Sequence, residues 1–181
     1  AMSTAEAFLY MLRQGGDVSA LEKEVLDLCL MLHAEHGGGN NSTFTTYVVT
    51  SSGTDIYAAI TAAVSSLKGP LHGAANKKVM DMMADIKNNV SDWGSESELK
   101  AYLGKIVNKT AYDRSGKIYG LGHAVYTKSD PRAKIIKAKA QALAQEKGRE
   151  DEFNLYAAIE AYGPEVFQSI KGSDKVIAPN V

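Results

Sequence analysis

The run Gly120-Leu-Gly-His-Ala-Val-Tyr-Thr-Lys-Ser-Asp-Pro-Arg132 sets a histidine, two glycines and an arginine close together along the chain. Glycines at 120 and 122 let the backbone approach a ligand and expose its amides. His123 can donate to a carbonyl oxygen, and Arg132 can grip a carboxylate through two parallel hydrogen bonds. That combination suits a small keto acid. Taken alone, the same residues also make an ordinary loop followed by a helix cap.

The other histidines, His33, His36 and His72, likewise stand within four residues of a glycine. His33 and His36 are three apart and so neighbour one another on a helix face. Three roles are open to them: a metal pair, for which no cysteine pair or second acidic cluster completes the ligand set; helix-end histidines facing the last carbonyls; or a polar rim for an anionic substrate. His72, in Gly69-Pro-Leu-His-Gly73, is expected to begin a helix. The positive end of a helix dipole disfavours imidazolium, so such a histidine stays neutral and can donate to a developing enolate. The plainer alternative is a buried histidine bonded to a neighbouring carbonyl.

Helices must position these residues. Ser3-Thr-Ala-Glu6 and Ser19-Ala-Leu-Glu22 have capping-box spacing. The first helix carries Phe8, Leu9, Met11 and Leu12 and stops at Gly15-Gly16. The second carries Leu21, Val25, Leu28, Cys29 and Leu32 and ends at His33. Asn40-Asn-Ser-Thr43 caps a β-branched segment through Val49, read as helix because its neighbours are helical. Asp55 caps Ile56 to Leu67, where alanines at 58, 59, 62 and 63 permit close packing.

Beyond it, a helix from about His72 to Asn89 should place Val79, Met80, Met83 and Ile86 inward and Lys77, Lys78 and Asp85 outward. A polar interval with the only tryptophan, Trp93, precedes a short helix from Glu98 to Asn108. Asp130 at the N-cap and Pro131 at the first helical position open a helix to Lys147, with Ile135, Ile136, Ala140 and Leu143 as its apolar stripe. A last helix spans about Asp151 to Lys171, with a kink or break at Gly163-Pro164. No convincing strand pair is present, so the expected fold class is all-α.

With 20 basic against 21 acidic residues and a net charge of -1, nothing points to nucleic acid or a membrane surface as partner. No apolar run approaches the roughly 18 residues of a membrane span. The single cysteine, Cys29, implies no disulfide framework and fits a reducing, cytoplasmic setting. Ala1-Met2 reads as a cloning remnant.

Three motifs in fixed order, His33-Ala-Glu-His36-Gly-Gly-Gly-Asn40, Gly69-Pro-Leu-His72-Gly73 and Gly120-Leu-Gly-His123 through Asp130-Pro-Arg132, resemble those of the citrate synthase family, from about Ser3 over almost the whole chain. The resemblance implies a mostly helical, two-domain homodimer that condenses oxaloacetate with acetyl-CoA, without metal or cofactor. By position, His72 would steady the enol or enolate of acetyl-CoA, and His123 would polarise the ketone of oxaloacetate. His36 and Arg132 would hold substrate carboxylates, with His33 and Asn40 beside them and Ser42 in support. Tyr119, Gly120, Leu121 and Gly122 would lie against the adenine of CoA, where Lys128 could meet a phosphate in place of the basic residue that many relatives carry at Thr127.

The family's catalytic base is the aspartate of a Pro-Asn-Val-Asp motif, and the sequence closes on Ala178-Pro-Asn-Val181. The expectation is therefore a fragment without useful turnover, with residues 1-72 from the large domain and 73-181 from the small one. Apolar surface exposed on Leu21 to Leu32 and Ile56 to Leu67 should make it self-associate. A 2-methylcitrate synthase shares the motifs, and a non-catalytic module binding CoA or a partner protein is the alternative of another class.

Overall fold

The computed structural model describes residues 1–34, 37–122, 130–172 and 177–179. Among these are eight helices: α1 (Thr4–Leu12), α2 (Ala20–Leu32), α3 (Asn41–Ser51), α4 (Ile56–Leu67), α5 (Ala75–Asn89), α6 (Glu96–Val107), α7 (Pro131–Lys147) and α8 (Glu150–Lys171). The one β-type contact among the described residues is an isolated antiparallel bridge between Leu121 and Pro179. The fold is all-α, as the sequence predicts.

Local chemistry explains most helix starts. Ser3, Ser19, Asn40, Asp55, Ser95 and Asp130 each accept a first-turn N–H through the side chain. Each thereby satisfies a donor that the helix itself cannot. Only Ser19 forms the reciprocal box, with the Glu22 carboxylate returning to the Ser19 amide. Gly148 and Gly172 close α7 and α8 in the left-handed conformation, at φ 63° and 60°. The β-branched segment after Asn40 is α3, as expected.

The continuous core is built by α5, α6, α8 and the loop after α6: Met82, Met83, Ile86, Leu99, Leu103, Ile106, Val107, Ile118, Leu155 and Ile159 are all buried. Met80, expected inside, is 63% exposed, and Met82 takes the inward place. The inward stripe is Val79, Met82, Met83, Ile86 and Val90, and Met80 falls off its edge. Lys78 and Asp85, expected outward, turn to protein partners instead: Lys78 pairs with Asp113 at 3.5 Å, and Asp85 accepts from the Tyr102 hydroxyl at 2.6 Å. Burial, reinforced by the Asp85 charge, pushes the Tyr102 hydroxyl up to about 12.

Helix α8 runs unbroken through Gly163-Pro164. An interior proline costs roughly 3 kcal/mol, but Leu155 and Ile159 before it and Val166 after it are anchored in the same core. Gly163 is there for closeness, since a Cβ at that position would lie 2.4 Å from Cδ1 of Leu121. Helix α7 has no buried residue, and Ile135 of its expected stripe is 46% exposed. Ile136, Ala140 and Leu143 of the same stripe are half-buried, and ion pairs also join α7 to its neighbours, Lys139 to Glu24 and Lys147 to Glu22 on α2, and Lys137 to Glu160 on α8.

Buried apolar residues are few before Val79, namely Ala5, Leu9 and Ala59. Helices α3 and α4 pack against each other yet expose Phe44, Tyr47, Val48, Ile56, Tyr57, Ile60, Val64 and Leu67. The expected exposure on α2 is present at Leu30 and Met31. No described helix is long and apolar enough to cross a membrane.

Candidate active site

Asn40 begins the site. Its Oδ1 accepts from the Thr43 amide at 2.9 Å and the Ser42 hydroxyl at 2.8 Å, while Nδ2 donates to the Gly37 carbonyl oxygen at 3.0 Å. One side chain thus caps α3 and fixes the glycine run before it. Asn41 ties α3 to the end of α4 through the Ser66 hydroxyl at 2.7 Å.

The Ser42 amide, in the first turn of α3, has no acceptor within its own helix. It donates to Nε2 of His72 at 3.1 Å, and the Ser42 hydroxyl oxygen lies 3.0 Å from the same nitrogen. Because the hydroxyl proton goes to Asn40, the assigned role of Nε2 is acceptor. In the neutral ring Nδ1 then carries the proton.

The structure corrects the placement of His72. It does not begin a helix: α5 starts at Ala75, and His72 sits in the turn before it, its amide bonded to the Gly69 carbonyl oxygen at 3.0 Å. The helix N-terminus that faces its ring belongs to α3. Gly73 permits the turn, since a Cβ there would meet the Leu67 carbonyl oxygen at 2.1 Å.

Tyr119 to Gly122 form a second assembly. Gly120 and Gly122 have φ of 88° and 90°, conformations that L side chains rarely adopt. Leu121 fits against Gly163, and the Gly122 amide donates to the Ala178 carbonyl oxygen at 2.7 Å. Ile177 and Ala178 are buried. The sequence reading named Ala178-Pro-Asn-Val181 as a motif but missed that its start is strapped to this turn.

It also missed Asp113. Burial pushes the Asp113 carboxyl up, but hydrogen bonds from the Tyr119 hydroxyl (2.6 Å) and the Ser115 amide (3.0 Å) outweigh it and hold the group at about 2. A local signal was available in Asp113-Arg-Ser115, an aspartate placed to accept from an amide two residues on.

Arg132 stands in the first turn of α7 against Asp130, which is fully buried. The guanidinium Nε donates to Oδ1 of Asp130 at 3.0 Å and the terminal nitrogen to Oδ2 at 2.6 Å, while the Arg132 amide is capped by Oδ1 at 2.9 Å. The pair holds the planar cation in one orientation. His33 is exposed, and its Nδ1 lies 2.7 Å from the Cys29 carbonyl oxygen, so it serves the end of α2. His36, His123, Thr127 and Lys128 lie outside the described residues.

Local bonding thus brings His72 together with Asn40 and Ser42, Tyr119 to Gly122 together with 177–179, and Arg132 together with Asp130. A histidine donor fixed by an amide and an oriented guanidinium are groups that suit a carbonyl and a carboxylate, while the glycine turn is half-buried, with its Leu121 and Gly122 amides already given to the Ile118 and Ala178 carbonyl oxygens.

The family model for the citrate synthase C-terminal domain matches residues 1–181. The chain is 38% identical over 180 residues to the citrate synthase of Haloferax volcanii, covering 99% of this chain and 42% of that protein. It is 39% identical over 155 residues to the 2-methylcitrate synthase of Shewanella oneidensis, covering 85% of this chain and 37% of that one. Among solved structures, citrate synthase from Pyrobaculum aerophilum matches with a TM-score of 0.69 at 33% identity, over 99% of this chain and 40% of that one. The chain belongs to the citrate synthase family. It spans about two-fifths of the length of these curated relatives.

Proposed function

We propose that the protein bearing this chain joins the methyl carbon of acetyl-CoA to the ketone carbon of oxaloacetate, and that water then cleaves the thioester bond of the product to give citrate and free CoA. The observation that carries this reading is the Ser42 amide on Nε2 of His72. It leaves Nδ1–H as the ring's donor, the group required to stabilise negative charge on a thioester oxygen as the methyl proton departs. The same bond argues against His72 as the base, because its acceptor nitrogen is already occupied.

In this reading His123 polarises the ketone, and Arg132 and His36 bind carboxylates, with His33 and Asn40 close to them. The turn Tyr119 to Gly122 takes the nucleotide of CoA, with Lys128 near its phosphates. The Asp130 contact supports the role of Arg132, since a guanidinium held in one plane loses less freedom on gripping a carboxylate. No metal or cofactor has a step in this chemistry.

Residues 1–72 are assigned to a large domain and 73–181 to a small one, a division supported by the concentration of buried apolar residues after Val79. We assign the exposed apolar face of α3 and α4 to a homodimer contact in a cytoplasmic enzyme. The test is thiol release by the protein bearing this chain, given oxaloacetate with acetyl-CoA or propionyl-CoA. Faster release from acetyl-CoA with citrate as product supports the proposal. A preference for propionyl-CoA assigns it to 2-methylcitrate formation, and no oxaloacetate-dependent release with either refutes the condensing reading.

A further inference from the structure

The loop leading from α6 to Tyr119 is strained. Lys109, Tyr112 and Arg114 have φ of 64°, 52° and 57°, left-handed values at three non-glycine residues. Such conformations persist only where their surroundings over-determine them, and they often mark functional segments. Here the surroundings converge on one carboxylate. Asp113 accepts from the Tyr119 hydroxyl at 2.6 Å and the Ser115 amide at 3.0 Å, and Lys78 of α5 approaches it at 3.5 Å. Its side chain is only 20% exposed.

Tyr119 is fully engaged by these neighbours. The Tyr112 ring meets it edge-on at 6.0 Å between centroids, and Lys78 Nζ lies 5.8 Å from its centroid. The Tyr112 hydroxyl in turn donates to the Lys78 carbonyl oxygen at 3.2 Å. Tyr119 is thus packed as an anchor, and what the turn presents to a ligand is the path of its backbone from Gly120 to Gly122, whose Leu121 and Gly122 amides are bonded to the Ile118 and Ala178 carbonyl oxygens. That backbone is secured downstream by Leu121 on Gly163 and by Gly122 on Ala178, and upstream by the hydroxyl of Tyr119 on Asp113.

We propose that Asp113 is a positioning residue for the nucleotide-binding turn: by holding the Tyr119 hydroxyl it sets the backbone of Gly120 to Gly122 for CoA. The inference rests on the CoA reading of that turn proposed above. Asp113 touches no reacting atom, and its effect passes through Tyr119.

The test compares Asp113→Ala, Tyr119→Phe and the double variant in the protein bearing this chain. Each single change should weaken CoA binding, measured by calorimetric titration, about tenfold. The double variant should be no weaker than the worse single one, because both remove the same bond. In turnover the loss should fall on KM for acetyl-CoA, with KM for oxaloacetate and kcat moving less than about twofold.

Amide hydrogen exchange at Gly120 and Gly122 should accelerate in both single variants without ligand. Unchanged CoA affinity in both, additive losses, or unchanged exchange at the two glycines would overturn the proposal. If the parent protein binds no CoA, the nucleotide reading of the turn fails, and the exchange rates still decide whether Asp113 positions it.

Discussion

The backbone amide of Ser42 donates to Nε2 of His72 across 30 residues of sequence, at 3.1 Å. A helix N-terminus and a glycine-flanked turn thereby complete each other. The amide is an otherwise unsatisfied donor of α3, and the ring gains a defined acceptor and a defined donor.

Replacing His72 by alanine should lower kcat about 10² to 10³-fold, the loss expected when one donor to a developing oxyanion is removed. Binding of oxaloacetate should change little. Ser42→Ala retains the amide and should lose no more than a few-fold in turnover. Ser42→Pro removes the amide proton and should approach the His72→Ala value. Steady-state kinetics of the three variants checks the ordering.

Asn40→Ala removes the α3 cap and should cost about 1 kcal/mol, measured by denaturant unfolding. Because Oδ1 also takes the Ser42 hydroxyl proton, turnover should fall beyond what the stability loss explains. Asn40→Asp keeps the acceptor and should recover most of the stability, while the Nδ2 bond to Gly37 is lost.

Arg132→Lys keeps the charge but gives up the planar fork that Asp130 orients. KM for oxaloacetate should rise roughly 10- to 100-fold, matching the loss of about 1.5–3 kcal/mol in charge-assisted bonding. Asp130→Ala should instead unfold the protein more easily, by about 3–5 kcal/mol, since it breaks a largely buried ion pair and uncaps α7. An unchanged KM in Arg132→Lys would remove this residue from the site.

The N-terminal helices and α7 meet at Glu22, whose carboxylate takes Arg13 at 2.6 Å and Lys147 at 2.9 Å. The hydrogen bonds from Arg13, with those from Ser19 and Lys147, hold it well below the usual carboxylate range. A carboxyl lowered by folding contributes stability above its unfolded value of about 4.3, lost as pH falls through the folded value. Asp113, held at about 2, adds loss between about pH 4 and 2. Thermal melting should therefore weaken below about pH 4.3, and Glu22→Gln should flatten that limb while lowering the melting temperature at pH 7.

Helix existence was legible in the sequence because most starts are set by a single local residue. Asn40 and Asp55 marked α3 and α4 even where β-branched residues obscured the period. What stayed hidden depends on distant neighbours. Gly69-Pro-Leu-His-Gly73 carries a turn that locally resembles a helix start, and only the Ser42 amide reveals which helix its histidine serves. Of the kink or break expected at Gly163-Pro164, no break occurs, because residues on both sides of it are anchored in the core shared with α6. Met80 and Met82 are equally apolar, and only the angle of α5 on the core separates them. Asp113-Arg-Ser115 signals a local turn, but the bond that matters, from the Tyr119 hydroxyl, depends on how the chain returns six residues later.

The apolar residues on α3 and α4 should drive self-association. Sedimentation at increasing concentration should show a dimer, and Tyr57→Asp combined with Ile60→Asp should yield a monomer. A parent chain that stays monomeric at high concentration would contradict the assigned contact.

The most direct measurement is nitrogen-15 NMR of histidine-labelled protein, with the His72 signals assigned by their loss in His72→Gln. The Ser42 contact predicts a proton on Nδ1 and an unprotonated Nε2 in the neutral ring. A ring protonated on Nε2 instead would contradict the amide contact, and with it the assignment of His72 as the donor to the enolate.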